Sequence, residues 1–237
     1  MDHYLYLLIN GCAVCVPFIW SFHQKIRFSK LFYAAIPAII LTAVVFIAWD
    51  IFFTRAGVWG FNPRYITCIY LLGLPLEEIL FFISIPYACL FTYYCLSIFF
   101  SLNWNPKKLN ITSLTLAIFL FICGILNLDK AYTASTCIST SLLLLLFQFV
   151  IRVSWMGKLL KIYPVLLLPF FIVNGLLTGT TLEQPVVWYN NDENLDIRLL
   201  SIPVEDVVYG FELIMLNVFA FEWLKKASPP LFRPILK

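Results

Sequence analysis

The length of the apolar runs constrains this chain most. Seven stretches, roughly 4–22, 31–53, 75–99, 111–128, 132–150, 160–178 and 200–223, are mostly apolar. Each is close to the ~20 residues that cross the hydrocarbon of a bilayer. Backbone groups in lipid find no water, so a spanning segment must bond its own N–H and C=O groups, and all seven are expected to be helices. Composition agrees, since 62% of the 237 residues are hydrophobic and 12% are charged, against about 25% charged in a soluble domain. The chain reads as an all-α integral multi-pass protein of the cell membrane. Its start, "MDHYLYLLINGCAVCVPFIW", lacks a basic n-region and a small-residue cleavage site, and reads as the first span rather than a signal peptide. Pro17, Pro37, Pro86, Pro164 and Pro169 fall inside spans or near their ends, where kinks are expected.

Loop charge gives an orientation. Lys25, Arg27, Lys30, Lys107, Lys108, Arg152, Lys158, Lys161, Lys225, Lys226, Arg233 and Lys237 all fall on one side of a seven-span thread. Arg55, Arg64, Lys130 and Arg198 fall on the other. The richer side is expected to be cytoplasmic, with the N-terminus outside and the C-terminus inside. The seven cysteines lie mostly in apolar runs, and Cys12 and Cys15 form a CxxC with no second pair nearby, so packing is expected rather than metal or redox chemistry. His3 and His23 stand near span ends and read as interfacial.

One motif occurs twice. "LPLEEILFF" at 74–82 has a partner in "IPVEDVVYGF" at 202–211. Each stands at the outer end of a span, behind a polar and aromatic loop containing tryptophan: "FTRAGVWGFNPRYITC" and "TGTTLEQPVVWYNNDENLDIR". Each loop follows a span ending in a small polar residue, Asp50 or Asn174. The pattern predicts two parallel three-helix repeats, residues 1–105 and 131–237, linked by an extra helix within 106–130, with the site where the repeats meet. Both acidic motifs then share one face of the membrane, with Asp50 at the same level.

Proline at the first position and acids in the first turn also suit any helix start. Recurrence at matching places, in a chain with only 13 Asp and Glu, favours function, because ionisable groups against a span are costly. Adjacent helix residues point about 100° apart. Glu77 and Glu78 therefore face different neighbours, as do Glu205 and Asp206. Glu212 lies two turns below Glu205 on the same stripe, as a further site residue or a helix-to-helix bond. Glu222 reads as a partner for Lys225 and Lys226. Crowded carboxyl groups in an apolar bundle do not all ionise, which leaves proton donors beside acceptors. Trp59, Phe61, Phe81, Phe82, Trp188, Tyr189 and Tyr209 are close in sequence to the acids, and aromatic faces attract cations. Donor, acceptor and aromatic walls suit proton-initiated carbocation chemistry on an alkene.

Taken together, "WD…FT…GVWGFN..Y…LPLEE..FF" and "IPVED..YGF" resemble the membrane-integral lycopene cyclases, carotenoid cyclases found as two small subunits or as one fused chain. The resemblance covers nearly the whole chain and points to the fused form, with a fold similar to that of the UbiA prenyltransferases. It implies cofactor-independent closure of the acyclic ψ-ends of lycopene to β-ionone rings, giving γ-carotene and β-carotene. It also implies a carotenoid substrate within the bilayer, other carotenoid-pathway enzymes as neighbours and no nucleic acid. Glu77, Glu78, Glu205 and Asp206 are the acids it makes catalytic, with Asp50 beside them. Asn62, Tyr65, Asn174, Tyr209 and Glu212 join the aromatic residues as substrate-binding candidates. Cys68 and Asp196 depart from the family pattern, which commonly has glycine at both places.

No GxGxxG fingerprint is present, so neither flavin nor nicotinamide is expected, nor a metal. The enzymatic rival is a UbiA-type prenyltransferase, such as a lycopene elongase, with Asp192, Glu193 and Asp196 as a magnesium–diphosphate motif. The matching first-half loop, 53–68, has no acidic residue, whereas that chemistry needs two such motifs. A retinal protein needs a mid-span lysine, and none is present. A seven-helix transporter is the remaining non-enzymatic reading.

Overall fold

A computed structural model describes residues 2–227 of the chain. Its framework is seven helices: α1 (Leu5–Ser21), α2 (Phe32–Ala56), α3 (Leu76–Phe99), α4 (Pro106–Leu126), α5 (Ala131–Leu145), α6 (Met156–Leu177) and α7 (Val204–Ala227). Each, with any short helical turn continuous with it, is long and apolar enough to cross a membrane. The all-α fold is that of a multi-span membrane protein, as the apolar runs require.

Six short strands lie between helices: β1 (Trp59–Phe61), β2 (Tyr70–Leu71), β3 (Leu74–Pro75), β4 (Val187–Tyr189), β5 (Arg198–Leu199) and β6 (Ile202–Pro203). They explain where the helices begin. α3 and α7 are each entered through a hairpin, β2–β3 and β5–β6. The seventh helix therefore starts at Val204 rather than near 200, because the last apolar residues before it belong to the hairpin. α4 starts earlier than its apolar run, at Pro106. The Asn105 side chain accepts hydrogen bonds from the N–H groups of Lys107 and Lys108, at 2.9 and 3.4 Å. An N-cap with proline at the first position adds a polar turn that hydropathy does not register.

The chain forms two compact units. The first comprises Met1–Phe52, Tyr65–Cys95 and Leu213–Lys237. Its core is aromatic. The buried Phe28 ring lies 5.4–6.2 Å from those of Phe32, Tyr87, Phe91, Tyr94 and Phe221, and the Ser21 and Tyr87 hydroxyls are 2.6 Å apart. The second comprises Phe53–Arg64 and Leu96–Glu212. Here α4 packs closely on α5. The Ser141 hydroxyl donates to the Ala117 carbonyl at 2.7 Å, and a Cβ at Gly124 would stand 2.6 Å from Ile138 Cγ1. Small residues and hydroxyls at a helix contact are the packing chemistry of apolar surroundings, where burial from water no longer drives association.

Outward faces are apolar, including Val44 and Val45 of α2, Phe119 and Ile122 of α4, and Leu168 and Ile172 of α6. That surface corrects one expectation. The cysteines are free thiols, and Cys137 is buried, but Cys12 and Cys15 are exposed on α1 beside Val16 and Ile19. In a lipid-facing position an apolar side chain needs no protein around it, so a run of apolar residues does not distinguish packing from lipid contact. His3 and His23 are exposed, as expected. Arg233 and Lys237 lie outside the described residues.

Candidate functional site

In the first unit, β3 ends at Pro75 and α3 opens at Leu76, which puts Glu77 and Glu78 in the first helical turn. Unpaired N–H groups and the helix dipole favour carboxylates there. Both are buried, at 1% and 8% exposure. They diverge as the helical rotation requires. Glu77 turns back to its own loop, where Oε1 accepts from the Thr67 N–H at 2.7 Å. Its backbone carbonyl accepts from the Asn10 side-chain amide at 2.8 Å. Glu78 faces α1, and its Oε2 accepts from the Tyr6 hydroxyl at 2.5 Å.

The second unit repeats the arrangement at α7. Glu205 and Asp206 are buried in its first turn, at 1% and 4% exposure. Glu205 Oε1 accepts from the Leu195 N–H at 2.7 Å and from the Thr133 hydroxyl at 2.6 Å. Asp206 accepts the Tyr132 hydroxyl on Oδ1 at 2.6 Å and the Tyr189 hydroxyl on Oδ2 at 3.0 Å. Among the described residues, Oε2 of Glu77 and Oε2 of Glu205 are buried with no hydrogen-bond partner. Other buried side-chain atoms are also left open, but here the open oxygen recurs at equivalent places of the two motifs. A carboxyl held on one oxygen and open on the other can hold a proton towards a neighbour that offers no lone pair.

The loops behind the acids depend on left-handed backbone. Cys68 and Asp196 follow the two N–H donors and have φ of 59° and 56°. Leu72 and Leu200, at the hairpin tips, have φ of 57° and 61°. The conformation favours glycine, which gives a physical meaning to the glycine common at positions 68 and 196 in the family pattern.

Of the aromatic residues singled out from sequence, Trp59, Tyr189 and Tyr209 gather around the second acid pair. The Trp59 ring lies 5.1, 6.1 and 6.3 Å from those of Tyr132, Tyr189 and Tyr209, and Phe53 stacks on it at 5.0 Å. Trp59 stands in the first-half loop, yet it serves the second motif, because β1 pairs antiparallel with β4. Phe81 meets the Tyr6 ring at 6.3 Å, and Phe82 packs on Phe46 at 6.1 Å. Asp50 is buried in α2 and Tyr65 in the loop after β1. Others stand apart from the acids. Trp188 is 45% exposed and opposite Gly60, and Phe61 sits opposite Val187. The Asn62 amide donates to Gln184 Oε1 at 3.0 Å. Asn174 gives its carbonyl to the Thr178 hydroxyl at 2.8 Å. Glu212 accepts from the hydroxyls of Ser139 and Thr140 at 2.7 and 2.8 Å, so it ties α7 to α5. Glu222 pairs with Lys225 at 2.7 Å.

Sequence reasoning missed Tyr6, Asn10, Thr67, Tyr132 and Thr133. Tyr6 and Tyr132 occupy matching places on α1 and α5, the second residue of each, but neither carries a local motif that ties it to a distant acid. The acidic run at 190–196 is partly used in structure. Glu193 Oε2 accepts from the Ala131 N–H at the start of α5, at 3.0 Å, and the Asn194 carbonyl accepts from Lys130 at 2.7 Å. Among the described residues no three His, Cys, Asp or Glu side chains are grouped to hold a metal ion.

The family model described as Lycopene cyclase matches residues 3–96 and 129–224, which contain both acidic motifs and the helices that face them. No curated protein and no solved structure matches the chain. By that match over most of its length, the chain belongs to the lycopene cyclase family.

Proposed function

We propose that this chain is a lycopene β-cyclase of the fused form, which closes the ψ-ends of lycopene to β-ionone rings without flavin, nicotinamide or metal. The observation that carries the reading is the recurrence, in a chain of this family, of two buried acid pairs, each with one carboxyl oxygen open and one held by a loop N–H. An acid of these pairs protonates the terminal alkene of a ψ-end. The tertiary cation is attacked by the internal double bond, and the six-membered ring closes. A carboxylate then takes a ring proton to set the β double bond. Atoms balance as an isomerisation, and the acid ends as it began. Trp59, Tyr209 and their neighbours give the second motif an aromatic wall suited to a cation.

The same reading extends to architecture and place. Two parallel three-helix repeats joined by α4 make a UbiA-like bundle in the cell membrane, with the N-terminus outside and the C-terminus cytoplasmic. Its partner is a carotenoid dissolved in the bilayer, delivered and taken up by other carotenoid-pathway enzymes. The test is expression in a lycopene-accumulating bacterium, with pigments resolved by HPLC and mass detection. The expected result is a pigment of unchanged mass with the shorter-wavelength spectrum of β-carotene or γ-carotene. Unaltered lycopene overturns the reading, and a product heavier by a prenyl unit replaces it with an elongase.

A further inference from the structure

The two acids of each motif are not equivalent. We infer that the first acid, Glu77 or Glu205, is the proton-transfer group, and that the second, Glu78 or Asp206, is a positioning group that holds a tyrosine. This rests on the cyclase reading above and divides the labour within it.

The difference lies in the carboxyl oxygens. Asp206 has both engaged, one by Tyr132 and one by Tyr189. A carboxyl group whose two oxygens each accept a phenol hydroxyl has neither oxygen free of a polar neighbour. Glu78 also holds a tyrosine, accepting the Tyr6 hydroxyl on Oε2. Glu205 and Glu77 are different. Oε1 is fixed by a loop N–H, and Oε2 is buried without a hydrogen-bond partner among the described residues. Alkene carbon neither donates nor accepts a conventional hydrogen bond. An acid that must protonate it therefore needs an oxygen whose proton is not already given to a polar neighbour. The backbone N–H on Oε1 fixes the side chain, so that Oε2–H presents a constant direction.

The step is then explicit. The Oε2–H bond of Glu77 or Glu205 breaks as a C–H bond forms at the less substituted carbon of the terminal alkene, leaving a tertiary cation on the other. The internal alkene supplies its electron pair to the new ring C–C bond. The ring proton returns to the carboxylate, which regenerates the acid. Tyr132 has a separate duty. Its ring lies 5.1 Å from Trp59 and 6.0 Å from Tyr209, so Asp206 fixes the aromatic wall through Tyr132. It touches no reacting atom.

Isosteric amides separate the two roles, because an amide oxygen still accepts a hydrogen bond but the group carries no acidic proton. Wild-type chain and the variants Glu77→Gln, Glu205→Gln, Glu78→Gln and Asp206→Asn are expressed in the lycopene-accumulating strain, with membrane levels matched by immunoblot. The first pair is expected to lose ring formation by about 10²-fold or more, the scale of a lost general acid, and Glu205→Asp is expected to restore part of it. The second pair retains ring formation within about tenfold of wild type, since an accepting oxygen survives. Removing the acceptor tells positioning from bulk structure. Asp206→Ala and Tyr132→Phe are each expected to shift the ratio of ring isomers as well as the rate, and the double variant to shift it no further than Asp206→Ala alone, because that change already breaks the Tyr132 contact. If wild type cyclises lycopene and Asp206→Asn is as dead as Glu205→Gln, the division of roles is wrong while the cyclase reading stands. The division also fails if Glu205→Gln keeps its activity. If wild type leaves lycopene unchanged, the cyclase reading itself has failed.

Discussion

The loop entering α3 and the loop entering α7 have the same backbone and different side-chain support. In each, the first helical N–H bonds back across the hairpin, Leu76 to Ile69 at 2.8 Å and Val204 to Ile197 at 3.0 Å. In each, a loop N–H ten residues upstream holds the first acid at 2.7 Å. The left-handed positions correspond too, Cys68 with Asp196 and Leu72 with Leu200. The support behind them diverges. Glu205 takes a hydroxyl from Thr133, the residue after Tyr132. After Tyr6 comes Leu7, which is 37% exposed. One turn on, Asn10 reaches the Glu77 carbonyl, whereas Thr136 is buried on α5. Tyr132 lies among three other rings. The common element is thus a backbone cradle that aims one acid. What surrounds that acid is tuned separately in each half.

The largest expected effect tests that difference directly. Tyr132→Leu removes a ring packed on Trp59, Tyr189 and Tyr209 and leaves Asp206 short of a donor. It is expected to destabilise the protein by about 3–5 kcal/mol, the range for a buried aromatic cut down. Tyr6→Leu should cost about 1 kcal/mol less, with fewer ring pairs at stake. Thermal unfolding in detergent micelles checks both, and equal losses would mean that the two tyrosines are packed alike.

Next comes the β1–β4 pairing, which brings Trp59 to the second motif. A Cβ at Gly60 would stand 2.4 Å from the Trp188 ring. Gly60→Ala is therefore expected to cost about 1–3 kcal/mol, as overpacking does. Trp188→Ala in the same chain should recover most of that loss, because it removes the clashing ring. The double variant that melts no higher than Gly60→Ala would point to the backbone instead. Smaller again is Thr133→Val, an isosteric change that takes one donor from Glu205 and leaves the Leu195 N–H in place. A loss of about 1 kcal/mol is expected, again read by thermal unfolding.

The spans were legible because lipid leaves the backbone one solution, and seven apolar runs translate directly into α1 to α7. The acids were legible because a repeated Pro-x-Glu-acidic start is improbable in so apolar a chain. Even their divergence followed from helical rotation, with Glu77 facing the loop and Glu78 facing α1. The hairpins β2–β3 and β5–β6 were not legible, since two-residue strands carry no periodicity and, Arg198 and Ser201 aside, the residues of their strands and turns are mostly apolar like the spans they adjoin. Nor were Tyr6, Tyr132 and Thr133. Each acts on a carboxylate more than 70 residues away, and no local pattern encodes a contact at that range. Trp59 was found as a candidate but tied to its own half of the sequence. Strand pairing, a long-range event, gave it to the second acid pair.

The smallest effect concerns the backbone that both loops share. A residue other than glycine in left-handed conformation is disfavoured by roughly 1–2 kcal/mol, and Cys68 is such a residue at φ 59°. Glycine there removes the Cβ conflict but loosens the unfolded chain, which returns part of the gain. Cys68→Gly is thus expected to stabilise by about 0.5–1 kcal/mol in detergent melts. Asp196→Gly should gain less. Aspartate tolerates this conformation better than cysteine. The Asp196 N–H keeps its 2.8 Å bond to Asn194 Oδ1 in either case. Because each position directly follows the N–H that holds an acid, relief of strain is expected to leave ring formation unchanged while the melting point rises. A fall in activity with the rise in stability would show instead that the left-handed strain helps to aim the carboxyl, and that the family's usual glycine and this chain's cysteine reach the same geometry at different tension.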